Sequence, residues 1–311
     1  MAAKGFLYYY LRSMRLYYGF VTGTTTLAGV MLANALFCQH VWTWRDAVVL
    51  TVGFLAWGVN QIFSDWCDRH EDRINAPHRP MVSGKLSPKP ALALSAIFML
   101  IFAAASYFVT PWALLFLAIG GGLNLCYSKL KRVPVLNCLI YAMAITCCAF
   151  YGFAGSCGRM YSSAWKALLM LTLLILPAHF LMCSFSYYKD KEGDEKSGIR
   201  TLQTLFSDDV TLPLHWCISM VYTVGLGYFA RIAKNLPLVL IFAMASVLIF
   251  NRLVYLLGKK KYHPATCWNC ALCVWWICFA LLPFFPRAGL FGVFAVIMIF
   301  LLFRWYPDEK E

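Results

Sequence analysis

Two clusters of acidic residues contain eight of the 14 carboxylates in this chain. One cluster runs from Asp65 to Asp72 and the other from Asp190 to Glu195, and each begins where an apolar segment ends. Hard divalent cations prefer oxygen ligands, and Mg²⁺ typically takes one or two carboxylates and completes its shell with water and substrate phosphate. The clusters therefore predict two magnesium half-sites that face each other and hold a diphosphate.

The spacing within each cluster favours a shared ligand. Asp65, Asp68 and Asp72 are spaced i, i+3 and i+7, so a helix that continued past the membrane edge would place them on one face. Like charges at this spacing repel one another, and a bound cation would offset the repulsion. Asp190 and Asp194, spaced i, i+4, also point one way. The alternative is that both clusters are solvated loop ends whose acids pair with nearby Arg and Lys.

Basic residues near the clusters could bind phosphate groups. Arg79 follows the first cluster in a loop stiffened by two prolines, which predict that the preceding helix ends near Asn75. Further along, Tyr127 and Lys131 are spaced i, i+4 and offer a hydroxyl and an ammonium group to an anion. Lys131 and Arg132 have an alternative role, because such side chains also extend to the membrane interface without binding a ligand.

The composition indicates that lipid surrounds the elements that hold these residues. Hydrophobic residues make up 61% of the 311 positions, against roughly 45–50% in soluble domains. The apolar residues fall in segments of about 17–25 residues, long enough to span a hydrocarbon core. Unpaired backbone cannot face lipid, so each span must be helical. The predicted spans are 17–38, 46–63, 91–109, 112–127, 135–155, 165–186, 211–230, 237–257, 267–285 and 288–304.

The sequence therefore predicts an all-α integral membrane protein, a bundle of nine or ten transmembrane helices that forms a single domain over residues 1–311. The last segment is short and follows Pro283 and Pro286, which leaves the count open between nine and ten. The first 15 residues have no small-residue cleavage site, so no cleavable signal peptide is expected.

The distribution of charge predicts the orientation. The net charge is +13, and with ten spans one face would hold 21 of the 27 Lys and Arg residues. Basic residues concentrate in the cytoplasmic loops of membrane proteins, so this face, which also holds both acidic clusters, is predicted to be cytoplasmic. Nucleic acid is not an expected partner, because no spaced base-reading element accompanies the charge.

The 13 cysteines do not form a recognisable metal motif. Cys267, Cys270 and Cys273 lie at helical spacing and form a stripe on one face. A zinc or iron–sulfur site would need further ligands at matched spacing, and the sequence offers none. Most of the cysteines lie inside spans, where cysteine acts as a small hydrophobic residue.

Three motifs together resemble the UbiA superfamily of membrane prenyltransferases. The run from Asp68 to Gly84 is similar to that family's first aspartate motif, NDxxDxxxD followed by an NxPxRPxxSG loop. The run from Asp190 to Thr201 resembles the second motif, DxxxD followed by GIxT. Tyr127-xxx-Lys131-Arg132 resembles the YxxxKR that follows the fourth helix. Motif order and the helix count between motifs also agree, so the resemblance covers roughly residues 10–285.

The resemblance implies a helical bundle around a central pocket that opens to the cytoplasmic side. It also implies Mg²⁺-dependent transfer of a prenyl group from an isoprenoid diphosphate to an acceptor that the sequence does not identify. By motif match, magnesium would be held by one hydroxyl and five carboxylates: Ser64, Asp65, Asp68, Asp72, Asp190 and Asp194. The diphosphate would contact Arg79, Tyr127, Lys131 and Arg132.

The sequence departs from the family pattern at Ser64, where the family usually has Asn. A hydroxyl reaches less far than an amide, and Asn60, one turn deeper in the same helix, could substitute or could contact a neighbouring helix. Asn60 and Arg15 are the expected acceptor-binding residues, since the family often has an Arg at the position of Arg15.

Two other functions are alternatives to prenyl transfer to a lipid or quinone precursor. A terpene cyclase on the same scaffold would use a double bond of the substrate itself instead of an acceptor. A transporter or channel would place its carboxylates at mid-span on broken helices, whereas these carboxylates lie at the ends of spans.

Overall fold

The computed structural model describes residues 5–38, 42–70, 72–130 and 132–306, apart from some side chains within them. Within these ranges the regular structure is helical and contains no strand. The α-helices are α1 (Phe6–Ser13), α2 (Gly19–Ala33), α3 (Trp44–Cys67), α4 (Asp72–Asn75), α5 (Pro88–Val109), α6 (Pro111–Leu130), α7 (Leu136–Cys157), α8 (Ala164–Lys196), α9 (Leu202–Leu205), α10 (Asp208–Ala230), α11 (Leu236–Gly258), α12 (Tyr262–Leu281) and α13 (Ala288–Phe303).

Eight helical segments in the described part of the chain are long and apolar enough to cross a membrane. They coincide with eight of the predicted spans, although the first begins at Phe6 and includes the break between α1 and α2. The predicted fourth and tenth spans correspond to the shorter apolar helices Pro111–Tyr127 and Ala288–Phe303. The all-helical architecture with eight candidate membrane spans is thus confirmed for the described residues, and the number of actual crossings stays a prediction.

Helices α2 and α12 form the centre of the bundle. Both are almost wholly buried, whereas α5 exposes most of its apolar surface, as a helix in contact with lipid should. Glycines allow α2 and α7 to pack backbone to backbone: a Cβ on Gly152 of α7 would lie 2.1 Å from the Thr26 carbonyl oxygen, and one on Gly29 would lie 1.8 Å from that of Ala149. Any larger residue would force these helices apart.

The helix in which the first acidic cluster begins does not continue to Asp72. Helix α3 ends at Cys67, and Asp68 lies beyond it with non-helical dihedral angles. A separate short helix, α4, then begins at Asp72 and ends at Asn75. Asp65 and Asp72 therefore do not lie on one continuous helix, which was the condition for a shared face, while the predicted helix end near Asn75, before the prolines, is confirmed.

Candidate functional site

A cavity of about 710 Å³ lies where the ends of α3 and α8 meet the loop after α4. Its lining combines carboxylates from both acidic clusters with basic and aromatic residues from both ends of the chain. The polar and aromatic residues that line it include Arg12, Arg15, Tyr17, Asp65, Arg79, Tyr188, Lys189, Asp190, Lys191, Glu192, Glu195, Asp208, Lys260, Tyr262, His263 and Tyr306. The two clusters, distant in sequence, thus face one space.

Asp65 is the carboxylate of the first cluster in the described lining of this cavity. Only 2% of its surface is exposed. Its Oδ1 accepts a hydrogen bond from Arg15 Nη2 at 2.7 Å and another from Gln61 Nε2 at 3.0 Å. Arg79 Nη1 lies 3.5 Å from the same oxygen. Two guanidinium groups and an amide therefore fix the orientation of this carboxylate and offset the cost of burying its charge.

Asp72 comes to the site from the other side of the helix break. Its Oδ2 pairs with Arg79 Nη1, so one guanidinium contacts both Asp65 and Asp72. Burial raises the pKa of the Asp72 carboxyl from 3.8 to about 6 against the opposing effect of Arg79, and the nearby charges of Asp65 and Asp68 raise it further. The first cluster therefore concentrates negative charge around Arg79 even though its helix is broken.

Asp68 and Ser64 lie at the break itself. The Asp68 backbone N–H donates to the Ser64 carbonyl oxygen at 2.9 Å, and the Asp68 carbonyl accepts from the Asp72 N–H at 2.9 Å. Both side chains are half-buried and lie outside the described lining of the cavity. Their predicted contact with a metal ion stays a prediction.

The second cluster lies on α8, which continues without a break to Lys196. Asp190 is half-buried and lines the cavity, and so do Glu192 and Glu195. Asp194 is fully buried and lies outside the described lining, although it is one turn beyond Asp190. The structure thus brings Asp190 to Asp65 and Arg79, and it gives Asp194 a different environment.

Several residues of the cavity were not identified from the sequence. Lys189 lines it beside Asp190, and Lys191 donates to Asp208 Oδ1 at 2.8 Å. The adjacency of Lys189 to an acidic motif was a usable signal. Lys260 lies in a run of basic residues, and Tyr306 lies two positions before Asp308. Neither is next to one of the two acidic clusters, so the local sequence did not indicate that the fold brings them here.

Tyr127 contacts α8 away from the described lining of the cavity. Its hydroxyl is 2.7 Å from the Tyr187 hydroxyl, and its side chain lies outside the described cavity lining. Arg132 is exposed in the turn after α6, and Lys131 lies outside the described residues. The predicted diphosphate contacts of these three residues stay predictions.

A line of aromatic rings connects the polar cavity with Tyr127. Ring centroids are 4.8 Å apart for Tyr17 and Tyr18, 6.0 Å for Tyr18 and Trp57, 5.6 Å for Trp57 and Tyr141, and 5.5 Å for Tyr141 and Tyr127. Trp57 also lines a second, mainly apolar cavity of about 70 Å³ between α3, α6 and α7.

Asn60, one of the two expected acceptor-binding residues, lines this second cavity, whereas Arg15 lines the first. The structure therefore separates the two residues. Their predicted roles toward an acceptor stay predictions.

The donor set of the main cavity suits a hard cation that arrives with its own oxygen ligands. Within the part of the chain that the structure describes, no three His, Cys, Asp or Glu side chains are grouped so that they could hold a metal ion. Asp65 and Asp190 nevertheless present carboxylates to one cavity from different helices. Mg²⁺ needs only one or two protein carboxylates when phosphate and water complete its shell, so these residues fit magnesium half-sites.

Comparison with known proteins points to one family. Residues 21–270 match the model of the UbiA prenyltransferase family. The bacteriochlorophyll synthase 33 kDa chain of Rhodobacter capsulatus is 27% identical over 194 residues, 59% of this chain and 62% of that protein. Digeranylgeranylglyceryl phosphate synthase of Saccharolobus solfataricus is 30% identical over 214 residues, 67% of each protein. The chain spans less than two thirds of the length of the bacteriochlorophyll synthase chains that it matches.

Solved structures share the fold. The apo structure of a UbiA homolog from Aeropyrum pernix K1 has a TM-score of 0.67 and 15% identity, and the match covers 85% of this chain and 96% of that one. A UbiA homolog from Archaeoglobus fulgidus bound to GPP and Mg²⁺ has a TM-score of 0.60 and 16% identity, and the match covers 88% and 99%.

Proposed function

Because this chain belongs to the UbiA prenyltransferase family, we propose that it transfers a prenyl group from an allylic isoprenoid diphosphate to a lipophilic or aromatic acceptor within the membrane, with the help of Mg²⁺. One observation carries this function. Asp65 and Asp190 line a single cavity together with Arg79, which supplies carboxylates for metal ions and a guanidinium group for the phosphates they accompany.

The acidic residues would hold the cation between them. Asp65 and Asp190 would act from two different helices, and Asp72 lies close enough to share Arg79 with Asp65. Asp68 and Asp194 complete the set by motif match. Bound Mg²⁺ would stabilise the charge that develops on the departing diphosphate.

The basic residues would bind the leaving group. When the bond between the prenyl carbon and the diphosphate oxygen breaks, its electron pair goes to the diphosphate. Arg79 and Lys189 line the cavity beside the carboxylates and would offset this added charge. Further contacts with the diphosphate would come from the end of α6 and the turn after it, from Tyr127, Lys131 and Arg132.

The apolar side of the site would protect the allylic cation from water until the acceptor attacks. Tyr17 lines the cavity, and its ring contacts that of Tyr18, which in turn lies beside Trp57. Aromatic faces attract a nearby cation by about 0.5–2 kcal/mol and exclude water. An acceptor carbon or oxygen then forms the new bond with its own electrons and afterwards loses a proton.

Arg15 and Asn60 are the candidates for contact with the acceptor. The names of the relatives suggest its class, since a bacteriochlorophyll synthase and a digeranylgeranylglyceryl phosphate synthase act in the formation of membrane pigments and lipids. We infer an acceptor that is itself a membrane-soluble precursor. The basic-residue distribution supports a cavity that opens on the cytoplasmic side.

An acceptor screen tests this function. Purified full-length protein in lipid nanodiscs would be incubated with Mg²⁺, radiolabelled geranyl, farnesyl or geranylgeranyl diphosphate, and lipid, quinone or pigment precursors. Transfer of the label to one acceptor, and its absence with the Asp190→Ala variant, is the expected result. A volatile hydrocarbon formed without any acceptor would instead indicate a cyclase, and failure to bind or consume every diphosphate would refute both activities.

A further inference from the structure

The chain breaks its first long helix at Arg15. Helix α1 ends at Ser13, and Arg15 adopts φ 47° and ψ 60°, a left-handed conformation, before α2 begins at Gly19. A side chain disfavours this conformation by roughly 1–2 kcal/mol, so neighbouring contacts must stabilise it.

The break removes two hydrogen bonds that a continuous helix would form. In such a helix the Arg15 N–H would donate to the Leu11 carbonyl, and the Leu16 N–H would donate to the Arg12 carbonyl. Here the Arg15 N–H donates to Arg12 at 3.3 Å instead. The Leu11 carbonyl and the Leu16 N–H therefore need other partners.

The hydroxyl group of Tyr306 bonds to both. It accepts a hydrogen bond from the Leu16 N–H at 3.2 Å and donates one to the Leu11 carbonyl oxygen at 3.3 Å. A phenolic hydroxyl can do both at once. The Tyr306 ring is 7% exposed and packs edge-on against Tyr17, with centroids 5.0 Å apart. One side chain from beyond α13 thus closes the gap in the backbone hydrogen bonding.

The same break directs Arg15 toward the acidic cluster, where its Nη2 lies 2.7 Å from Asp65 Oδ1. We propose that Tyr306 is a positioning residue, which holds the left-handed turn at Arg15 and thereby fixes Asp65 in its magnesium half-site. This role rests on the proposed function. Tyr306 and Arg15 both lie outside the matched residues 21–270, so the arrangement belongs to the flanking segments of this chain.

The test uses full-length protein and radiolabelled geranylgeranyl diphosphate without acceptor, and it measures the Mg²⁺ concentration that gives half-maximal binding. Tyr306→Phe keeps the ring and removes the hydroxyl. We expect it to raise this concentration about tenfold, as loss of a group that orients a metal ligand does. Tyr255→Phe on the exposed side of α11 is the matched control and should leave the value unchanged.

A double-mutant cycle separates positioning from general support of the fold. If Tyr306 acts through Arg15, its effect should largely disappear in the Arg15→Ala variant. There, Tyr306→Phe should change the Mg²⁺ concentration for half-maximal binding by less than about twofold. The role would be overturned if Tyr306→Phe changed this concentration by the same factor in both backgrounds, or if it had no effect in the wild-type background.

Hydrogen exchange supplies a readout that needs no ligand. Without the hydroxyl, amides in segment 11–18 should exchange faster in Tyr306→Phe than in the wild type, because the turn loses the partner of the Leu16 N–H. Unchanged exchange there would also overturn the role. If the wild type fails to bind the diphosphate while the exchange difference is present, the proposed function fails. The stabilisation of the turn at Arg15 by Tyr306 would still stand as a structural feature.

Discussion

Asp65, near the end of α3, and Asp190, in the last turns of α8, line the same cavity although four helices, α4 to α7, separate them in the chain. Neither carboxylate belongs to a group of three metal-binding side chains within the described residues. A metal ion held by both carboxylates must therefore complete its shell with oxygen atoms from water or from a bound phosphate. Loss of either carboxylate should prevent binding of the metal–phosphate complex.

Asp190→Asn should reduce prenyl transfer at least a hundredfold while the protein stays folded. The substitution keeps the size of the side chain and removes the negative charge that a hard cation prefers. The measurement is turnover of a radiolabelled diphosphate, with melting temperature in detergent as the test of folding. Asp209→Asn, on an exposed position of α10, is the control. Full activity of Asp190→Asn would exclude it as a metal ligand.

Arg79→Lys should weaken diphosphate binding about tenfold, which corresponds to roughly 1.4 kcal/mol. Nη1 of Arg79 contacts both Asp65 and Asp72. Lysine keeps the charge but lacks the planar, forked donors of the guanidinium group that would contact phosphate. Equilibrium binding of labelled geranylgeranyl diphosphate measures the effect. Arg73→Lys, exposed on α4, should bind as the wild type does, and equal affinities of all three proteins would contradict the assignment of Arg79.

Removal of divalent cations should abolish diphosphate binding without unfolding the bundle. The bundle is held by apolar packing and by backbone contacts such as that between α2 and α7, so excess EDTA should leave the melting temperature nearly unchanged. Mg²⁺ or Mn²⁺ added back should restore binding. Turnover that persists in excess EDTA would show that the carboxylates serve another purpose.

Asp72→Asn should make the protein more stable at neutral pH, because burial raises the pKa of the Asp72 carboxyl to about 6. The folded state holds this proton more tightly than the unfolded chain, so its contribution to stability is present at low pH and is lost as the pH rises through about 6. Between pH 5 and pH 8 the loss is roughly 1–2 kcal/mol.

Melting temperatures in EDTA check this expectation, since no metal ion then neutralises the carboxylate. The gain from Asp72→Asn should be larger at pH 8 than at pH 5. A variant that is less stable than the wild type at both values would show that the Arg79 pair outweighs the burial of Asp72.

Gly152→Ala should prevent formation of the folded bundle. A Cβ there would lie 2.1 Å from the Thr26 carbonyl oxygen, and backbone on both sides leaves no flexible side chain to move. Yield of monodisperse protein in detergent measures the effect. Gly225→Ala, which has open space around its added Cβ, should be tolerated or slightly stabilising. Normal folding of Gly152→Ala would mean that α2 and α7 are farther apart.

The sequence predicted the helical spans well because length and hydropathy alone determine whether a segment crosses a membrane. It also identified Asp65, Asp190 and Arg79, whose types and positions at the ends of spans are local properties. It did not predict the break at Asp68, because i, i+3, i+7 spacing is equally compatible with a helix that ends early.

The contribution of Tyr306 could not be predicted either. Its hydroxyl contacts Leu11 and Leu16, almost 300 positions away in the chain, and such a pairing depends on how α13 packs against the start of α2.

The position of Asp194 outside the described lining could not be predicted for a related reason. Spacing predicts a common helix face with Asp190, but only the packing of neighbouring elements decides which part of that face opens to the cavity.

Helix α8 has 33 residues and is about 50 Å long, whereas a hydrocarbon core is only about 30 Å thick. Its apolar part, residues 164–186, is sufficient to cross that layer, so the final ten residues extend roughly 15 Å further. Such a rigid extension fixes the height of Asp190 relative to the lipid tails. If the proposed function is right, a prenyl diphosphate bound there would have its phosphates among the lipid head groups and its hydrocarbon tail in the hydrocarbon core, so bond cleavage would take place at a boundary between two dielectrics.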